Sequence, residues 1–333
     1  MSGEQPTSQD PEGAGLIVPP ESAIVVTGAG PLSVNHAEGQ IIAQSKRNRT
    51  DGCLLCSGVV SEVPDRTYAL KSPDDHTNPK TCAEAMFRGI KHGVYGFINA
   101  YPKVEKIAAV IACNTFHVRE IFSEYLELIS KLQQDVRDRV AIEVINMPEA
   151  TANFLANQLL NTEAPDKKKV GILCTSGSRE FGLYDKIFEL LGWKSVNLPP
   201  EMQAKLHNAI YNEILGLKVN PNSTEASEIV WECIVYLLRQ GVRAIVLGCT
   251  ELRFGTQKSW WNDDGVLKTV WDMFVHGSLP KIALEGHAPD DSAFLLDSTV
   301  LAVRKAIDIV APKRLINLDL SVAPVIVNKI WDK

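Results

Sequence analysis

The sequence lacks two features that would suggest binding to nucleic acid or to a membrane. It has no excess of positive charge, because 34 lysines and arginines are outnumbered by 40 aspartates and glutamates, giving a net charge of −6. No broad basic surface is therefore expected to neutralise phosphates. No apolar run approaches the roughly 20 residues that span a bilayer. We expect no nucleic-acid partner and no membrane association.

Secretion signals and an even set of cysteines are also missing. The seven cysteines form an odd number, and residues 1–20 are polar, without the basic start and apolar core of a signal peptide. We expect a cytoplasmic protein with reduced thiols and a flexible tail over residues 1–20. Cys53 and Cys56 have CxxC spacing, but no second pair and no HxxxH follow. Core thiols on a strand are the preferred interpretation, and we expect no metal site.

A Gly-rich turn near the start of the chain is an incomplete dinucleotide-binding motif. Gly28 and Gly30 follow an apolar stretch, but residues 31–35 contain no third glycine, although the motif needs one for helix–strand packing. The turn is better interpreted as backbone amides at the start of a helix, where they can hold a small carboxylate.

Apolar, β-branched runs alternate with helical patterns along the chain. Near-continuous apolar strands separated by helices are typical of parallel sheets covered on both faces. The predicted strands are residues 23–27, 107–112, 140–146, 170–175, 243–248 and 281–285. The predicted helices are residues 83–99, 118–132, 181–191, 202–215, 225–239 and 292–308. The pattern predicts an α/β fold with two similar domains, each a mainly parallel sheet flanked by helices, and an active site in the cleft between them.

Two segments share one arrangement around a cysteine. Cys113 lies in IACNTFH (residues 111–117) and Cys249 in LGCTELR (residues 247–253), each after an apolar run and before polar residues and a helix. Ligands bind beyond the carboxyl ends of parallel strands, and a helix N-terminus favours thiolate over thiol. Two such thiols on opposite faces of a carbon could remove and return a proton, inverting the centre without a cofactor. Two buried structural cysteines are the alternative.

At these residues the chain resembles the aspartate/glutamate racemase family, which uses two cysteines and no cofactor. The resemblance runs with gaps from about residue 23 to residue 308. It is carried by GAGP (28–31), VPDRT (63–67), ACNT (112–115), VINMP (144–148), VGILCTSG (170–177), GLYDK (182–186) and GCTE (248–251). The VPDRT segment favours the aspartate racemase branch.

The resemblance implies a role for each matching residue. Cys113 and Cys249 would be the two acid/base residues. Asn114, Thr115 and Thr250 would bind the α-carboxylate and amino group together with the Gly28–Gly30 turn, and Arg66 and Lys186 would bind the side-chain carboxylate. The second-domain turn that faces substrate would comprise Thr175, Ser176, Gly177 and Ser178. The substrate would be a small dicarboxylic amino acid, aspartate first and glutamate second, with no pyridoxal phosphate and no other cofactor.

The chain also departs from the family pattern. Residues 253–280, with Trp260, Trp261 and Trp271, form an insertion, and residues 309–333 extend past the usual end. We expect a first domain from residues 21–146 plus 286–333 and a second from residues 147–285. A homodimer is one option for the assembly. Two alternative functions remain open at this point: a maleate-type isomerase with a nucleophilic cysteine, and a dicarboxylate-binding protein without catalysis.

Overall fold

The computed structural model describes residues 21–45, 54–160, 167–259, 281–283, 293–312 and 324–326. The expected tail over residues 1–20, Cys53, the three tryptophans of the insertion and most of residues 309–333 lie outside this part of the chain. The strands are β1 (Ser22–Gly28), β2 (Leu54–Val59), β3 (Lys106–Ile111), β4 (Ala141–Ile145), β5 (Lys169–Cys174), β6 (Lys194–Asn197), β7 (Ala244–Gly248), β8 (Lys281–Ala283), β9 (Ala293–Asp297) and β10 (Pro324–Ile326).

The described helices connect these strands. They are α1 (Pro31–Gln44), α2 (Arg66–Lys71), α3 (Pro79–Ala100), α4 (Arg119–Val136), α5 (Met147–Phe154), α6 (Ser176–Glu180), α7 (Asp185–Leu190), α8 (Pro200–Tyr211), α9 (Thr224–Arg239), α10 (Leu252–Ser259) and α11 (Ser298–Val310). A short 3-10 helix, Asn114–His117, separates β3 from α4. Within the described residues, no helix is both long enough and apolar enough to cross a membrane.

The described strands form two sheets. The first has the order β2-β1-β3-β4 and is parallel throughout. The second has the order β10-β8-β9-β7-β5-β6 and is parallel except where β8 meets β9. Strands β1, β3 and β7 are buried over nearly their whole length, as expected for sheets covered on both faces. The structure confirms the predicted fold class.

Helices cover both faces of each sheet. On the first sheet, α3 and α4 pack on one face, and α1 and α11 pack on the other, where Val303 and Ile307 contact the core around Ile24 and Val26. On the second sheet, α8 and α9 cover one face, and α7 packs on the other through Phe188. Each half therefore has its own hydrophobic core.

The chain crosses from the second half back to the first at one residue. Strand β9 pairs with β7 in the second sheet, whereas α11, which begins directly after Asp297, packs on the first sheet. The predicted boundary at residue 286 precedes this crossover. Residues 293–297 were expected in a helix, but their backbone hydrogen bonds with β7 make them a strand.

Candidate active site

Cys113 and Cys249 line the same cavity. Cys113 lies two residues after the end of β3, an interior strand of the first sheet, and Cys249 directly follows β7, an interior strand of the second. Both side chains are largely buried, with 9% and 6% exposure, and both contribute to a cavity of about 220 Å³. Equivalent positions of the two sheets thus supply one thiol each to a single site.

The turn between β1 and α1 forms one wall of this cavity. Gly30 and Ser33 line it. Gly30 is the N-cap residue of α1, and no side-chain hydrogen bond caps the first turn of this helix. This turn therefore provides a helix N-terminus suited to an anion. Gly28 does not line the cavity. A side chain there would lie 2.9 Å from both Ser33 Oγ and a Val34 methyl group, so Gly28 allows the tight turn that brings Gly30 to the site.

Arg66 supplies a buried positive charge to the cavity. It is the first residue of α2, whose N-cap Asp65 accepts a hydrogen bond from the Tyr68 backbone. Its side chain is 8% exposed and lines the cavity. Nη1 donates to the Pro64 carbonyl oxygen at 3.2 Å, and Nε is buried without a partner among the described residues. Burial opposes the charge, but electrostatic interactions with neighbouring groups, among them Asp65 and Glu251, raise the pKa of Arg66, which keeps it protonated.

The second cation of the cavity is Lys218 and not Lys186. Lys218 lines the cavity, and its Nζ lies 4.0 Å from the centre of the Tyr211 ring. Burial disfavours its charge, yet Tyr211 and Glu251 raise the pKa of Lys218 to about 12. Lys186 is exposed on α7 and does not line the cavity. Helix α7 packs inward through Phe188, which leaves Lys186 at the surface.

A cluster of hydroxyl groups joins the two halves beside the cavity. Thr115 Oγ1, from the first half, lies 3.0 Å from Thr175 Oγ1 and 2.9 Å from Ser178 Oγ, both from the second. Thr115 and Thr175 line the cavity, whereas Ser176, Gly177 and Ser178 do not. The Ser176 backbone amide donates to His207 Nδ1 at 3.3 Å. The turn around Thr175 thus contributes Thr175 itself to the cavity, and Ser178 contacts the Thr115 hydroxyl.

Two further polar residues line the cavity next to the cysteines. The oxygen of Asn114 accepts a hydrogen bond from the Tyr184 hydroxyl, and Asn114 Nδ2 is buried without a partner in the described part of the chain. Thr250, on the other side, directly follows Cys249 and also lines the cavity. Asn114 Nδ2 is therefore a free donor for a ligand.

Glu251 contacts Cys249 directly, and the sequence had given no role to this residue. Its Oε2 accepts from the Cys249 thiol at 3.1 Å and from Thr250 Oγ1 at 2.7 Å. Burial and then the negative charge of Glu251 raise the pKa of Cys249 well above its ordinary value, so Cys249 carries its proton at neutral pH. The sequence feature that could have identified Glu251 is the GCTE segment, in which Glu251 is only two residues from the thiol.

The fold and the cavity define a class of protein: two α/β halves that enclose a small polar site containing one cysteine from each. The chain matches the family model "Asp/Glu/Hydantoin racemase" over residues 88–258, which is just over half of its length and includes both cysteines. It belongs to this family. Membership of this family supports the interpretation that the protein is an isomerase of the amino acid racemase class.

Solved structures share the fold. The aspartate racemase of Picrophilus torridus is 17% identical, with a TM-score of 0.56 over 89% of this chain and 96% of that one. A putative Asp/Glu racemase from Yersinia pestis is also 17% identical, with a TM-score of 0.54 over 86% of this chain and 99% of that one. At this level of identity the likeness concerns the fold alone. In the described residues, no group of three or more metal-binding side chains is placed to hold an ion.

Proposed function

We propose that this protein racemises a small acidic amino acid, aspartate first and glutamate second, by proton transfer between Cys113 and Cys249 without pyridoxal phosphate. The observation that carries the proposal is the shared cavity, in which the two thiols come from equivalent strand ends and lie with two cations, Arg66 and Lys218. Family membership supports the reaction class. The identity of the substrate rests on the two cations.

The surroundings of the two thiols differ, and this difference favours Cys249 as the acid. Cys249 retains its proton next to Glu251, so we assign it as the acid, and we assign Cys113, which lines the same cavity as Arg66, as the base. In one direction, Cys113 removes the α-proton, and the electron pair remains on the α-carbon and its carboxylate. Cys249 then donates its proton to the opposite face. The C–H bond broken on one face is replaced on the other, and the thiols exchange protonation states.

The polar residues of the cavity divide between the two ends of a dicarboxylate. We assign the α-carboxylate and amino group to Asn114, Thr115 and Thr250 with the amides of the Gly30 turn, because these groups lie next to the cysteines. Hydrogen-bond donors at this end also stabilise the negative charge that develops as the proton leaves. We assign the distal carboxylate to Arg66 and Lys218, since a guanidinium binds carboxylates in a bidentate manner and the lysine adds a second charge.

The test is to incubate the protein with single enantiomers of aspartate and glutamate in D₂O without added cofactor. We expect each enantiomer to give the other, with deuterium at the α-carbon detected by NMR and enantiomers separated by chiral chromatography. Cys113→Ala and Cys249→Ala should each abolish the conversion. Turnover of maleate without amino acid racemisation would favour the maleate-type isomerase, and tight dicarboxylate binding without any exchange would favour the non-catalytic binder.

A further inference from the structure

Three ionisable side chains, His36, Arg253 and Asp297, meet in the interior outside the proposed site. We call them the crossover cluster. His36 Nε2 lies 2.8 Å from Asp297 Oδ2, and Arg253 Nη1 lies 3.2 Å from the same oxygen. The side chains are 4%, 2% and 2% exposed. At 2.8 Å from a carboxylate, which only accepts hydrogen bonds, Nε2 of His36 must carry the hydrogen.

The cluster occupies one of the places where the chain passes between the halves. Asp297 ends β9 of the second sheet, and its other oxygen, Oδ1, accepts from the backbone amides of Thr299 and Val300 at the start of α11. Arg253 is on α10, four residues after Cys249. His36 is on α1, one turn after Ser33 in the cavity wall. One carboxylate thus connects the wall from the first half to the helix that follows the thiol of the second.

Stabilisation alone does not account for this composition. Removing three ionisable groups from water is costly, and replacing a buried ion pair with apolar residues often leaves stability unchanged or increases it. Apolar residues pack with little directional preference, however, whereas a shared carboxylate fixes the direction of each donor. A racemase with two bases needs such a constraint, because its thiols come from different halves and misplacement by about 1 Å can cost roughly 100-fold in rate.

We propose that the crossover cluster sets the separation and orientation of Cys113 and Cys249, with His36 as its positioning residue for the first half. This inference rests on the proposed racemase function for its kinetic consequence. Its structural consequence, the spacing of the two thiols, can be measured independently. His36 and Arg253 do not line the cavity that contains the thiols, so they act through the helices that carry the cavity wall and follow Cys249.

The decisive measurement compares a reaction that needs both thiols with one that needs a single thiol. Racemisation of aspartate needs both. Elimination from 3-chloroaspartate needs one base: the thiolate takes the α-proton, a C=C bond forms, chloride leaves from Cβ, and water hydrolyses the resulting enamine to oxaloacetate and ammonia. In His36→Leu, which leaves the Arg253–Asp297 pair intact, racemisation should fall roughly 10- to 100-fold, while elimination falls far less. His36→Gln, which keeps an N–H donor, should recover most of the racemisation.

Two controls separate positioning from stability. Leu237→Ala removes methyl groups from the core of the second half, where Leu237 is fully buried against Gly171 near the start of β5, so it should lower the melting temperature without changing the ratio of the two rates. A short bis-thiosulfonate reagent should cross-link Cys113 to Cys249 in the parent protein, as identified by peptide mapping, and His36→Leu should lower that yield.

Each possible result either supports or overturns the proposal. An unchanged ratio of racemisation to elimination in His36→Leu would overturn it, whatever the absolute loss. If the parent protein does not racemise amino acids, the proposed function fails and the cross-link decides alone: a lower yield in His36→Leu supports the cluster's role, and an unchanged yield overturns it. A parent protein with neither activity nor a Cys113–Cys249 cross-link would also overturn it.

Discussion

The sulfur of Cys249 lies 3.1 Å from a carboxylate oxygen of Glu251, to which it donates a hydrogen bond. Cys113, on the other half, lines the same cavity as Arg66. The two chemically identical thiols therefore differ in their contacts, because only Cys249 donates to a carboxylate in the described part of the chain. This asymmetry favours Cys249 as the thiol that holds its proton and acts as the acid.

Replacing Glu251 with Gln should move the titration of Cys249 to lower pH. The carboxylate raises the pKa of Cys249, so its thiolate forms only above that raised value, and removal of the charge lowers the pKa. We expect alkylation of Cys249 by iodoacetamide, followed by mass spectrometry as a function of pH, to begin at lower pH in the variant. Glu228→Gln, at an exposed position of α9, is the control. A profile for Cys249 that is the same in all three proteins would rule out this role for Glu251.

Replacing Arg66 with Ala should reduce activity on acidic substrates most. A charge-assisted, bidentate contact is worth about 1.5–3 kcal/mol, which corresponds to a loss of about one to two orders of magnitude in kcat/KM. A neutral amino acid such as alanine should lose less, because it has no distal carboxylate. The measurement is kcat/KM for both substrates. Equal losses would mean that Arg66 binds the α-carboxylate or supports the fold.

A matched pair of lysine substitutions tests which cation serves the cavity. Lys218→Met keeps an unbranched side chain beside Tyr211 but removes the charge 4.0 Å from its ring, so the KM for aspartate should rise at least several-fold. Lys186→Met changes an exposed residue outside the cavity and should leave KM and kcat near their parent values. The opposite pattern would restore Lys186 as the substrate ligand.

A matched pair of glycine substitutions tests the contact between the halves. A side chain at Gly177 on α6 would lie 2.7 Å from Thr67 Oγ1 of α2, and overpacking of this kind typically costs about 1–3 kcal/mol. Gly177→Ala should lower both the melting temperature and the racemisation rate. Gly96→Ala lies in α3, where an added side chain meets nothing within 4 Å, and should stabilise by roughly 0.5–1 kcal/mol. Thermal unfolding of both variants provides the comparison, and equal melting temperatures would contradict it.

The sequence predicts the sheets well because buried parallel strands form continuous apolar runs, as in β3 and β7. It places a strand at Cys53 and Cys56, where β2 runs, although the Cys56 thiol is exposed and not in the core. It misses β6, whose KSVN sequence is short and polar, and it extends the last helix over β9. The apolar run AFLLD is compatible with either structure, and only pairing with β7 makes it a strand. Tertiary hydrogen bonding decides such short segments.

The candidate site is predicted where a motif places a residue at a strand end. Cys113, Asn114, Thr115, Cys249 and Thr250 all line the cavity for this reason. Lys218 could not be predicted, because it follows α8 in a connecting segment without periodicity or a motif. The crossover cluster could not be predicted from the sequence either, because its three residues are far apart in the chain and only the return from β9 to α11 brings them together.

The two thiols should act on opposite enantiomers. Cys113→Ser and Cys249→Ser should each abolish racemisation, because a serine hydroxyl is far too weak an acid to serve as the resting base. Each variant retains one thiol, which reaches the α-proton from one face only, and this suffices for elimination from 3-chloroaspartate. We therefore expect the variants to consume opposite enantiomers, as measured by the loss of each from separate solutions. The same preference in both variants would contradict opposed thiols, and racemisation at the parent rate by either variant would remove that cysteine from the mechanism.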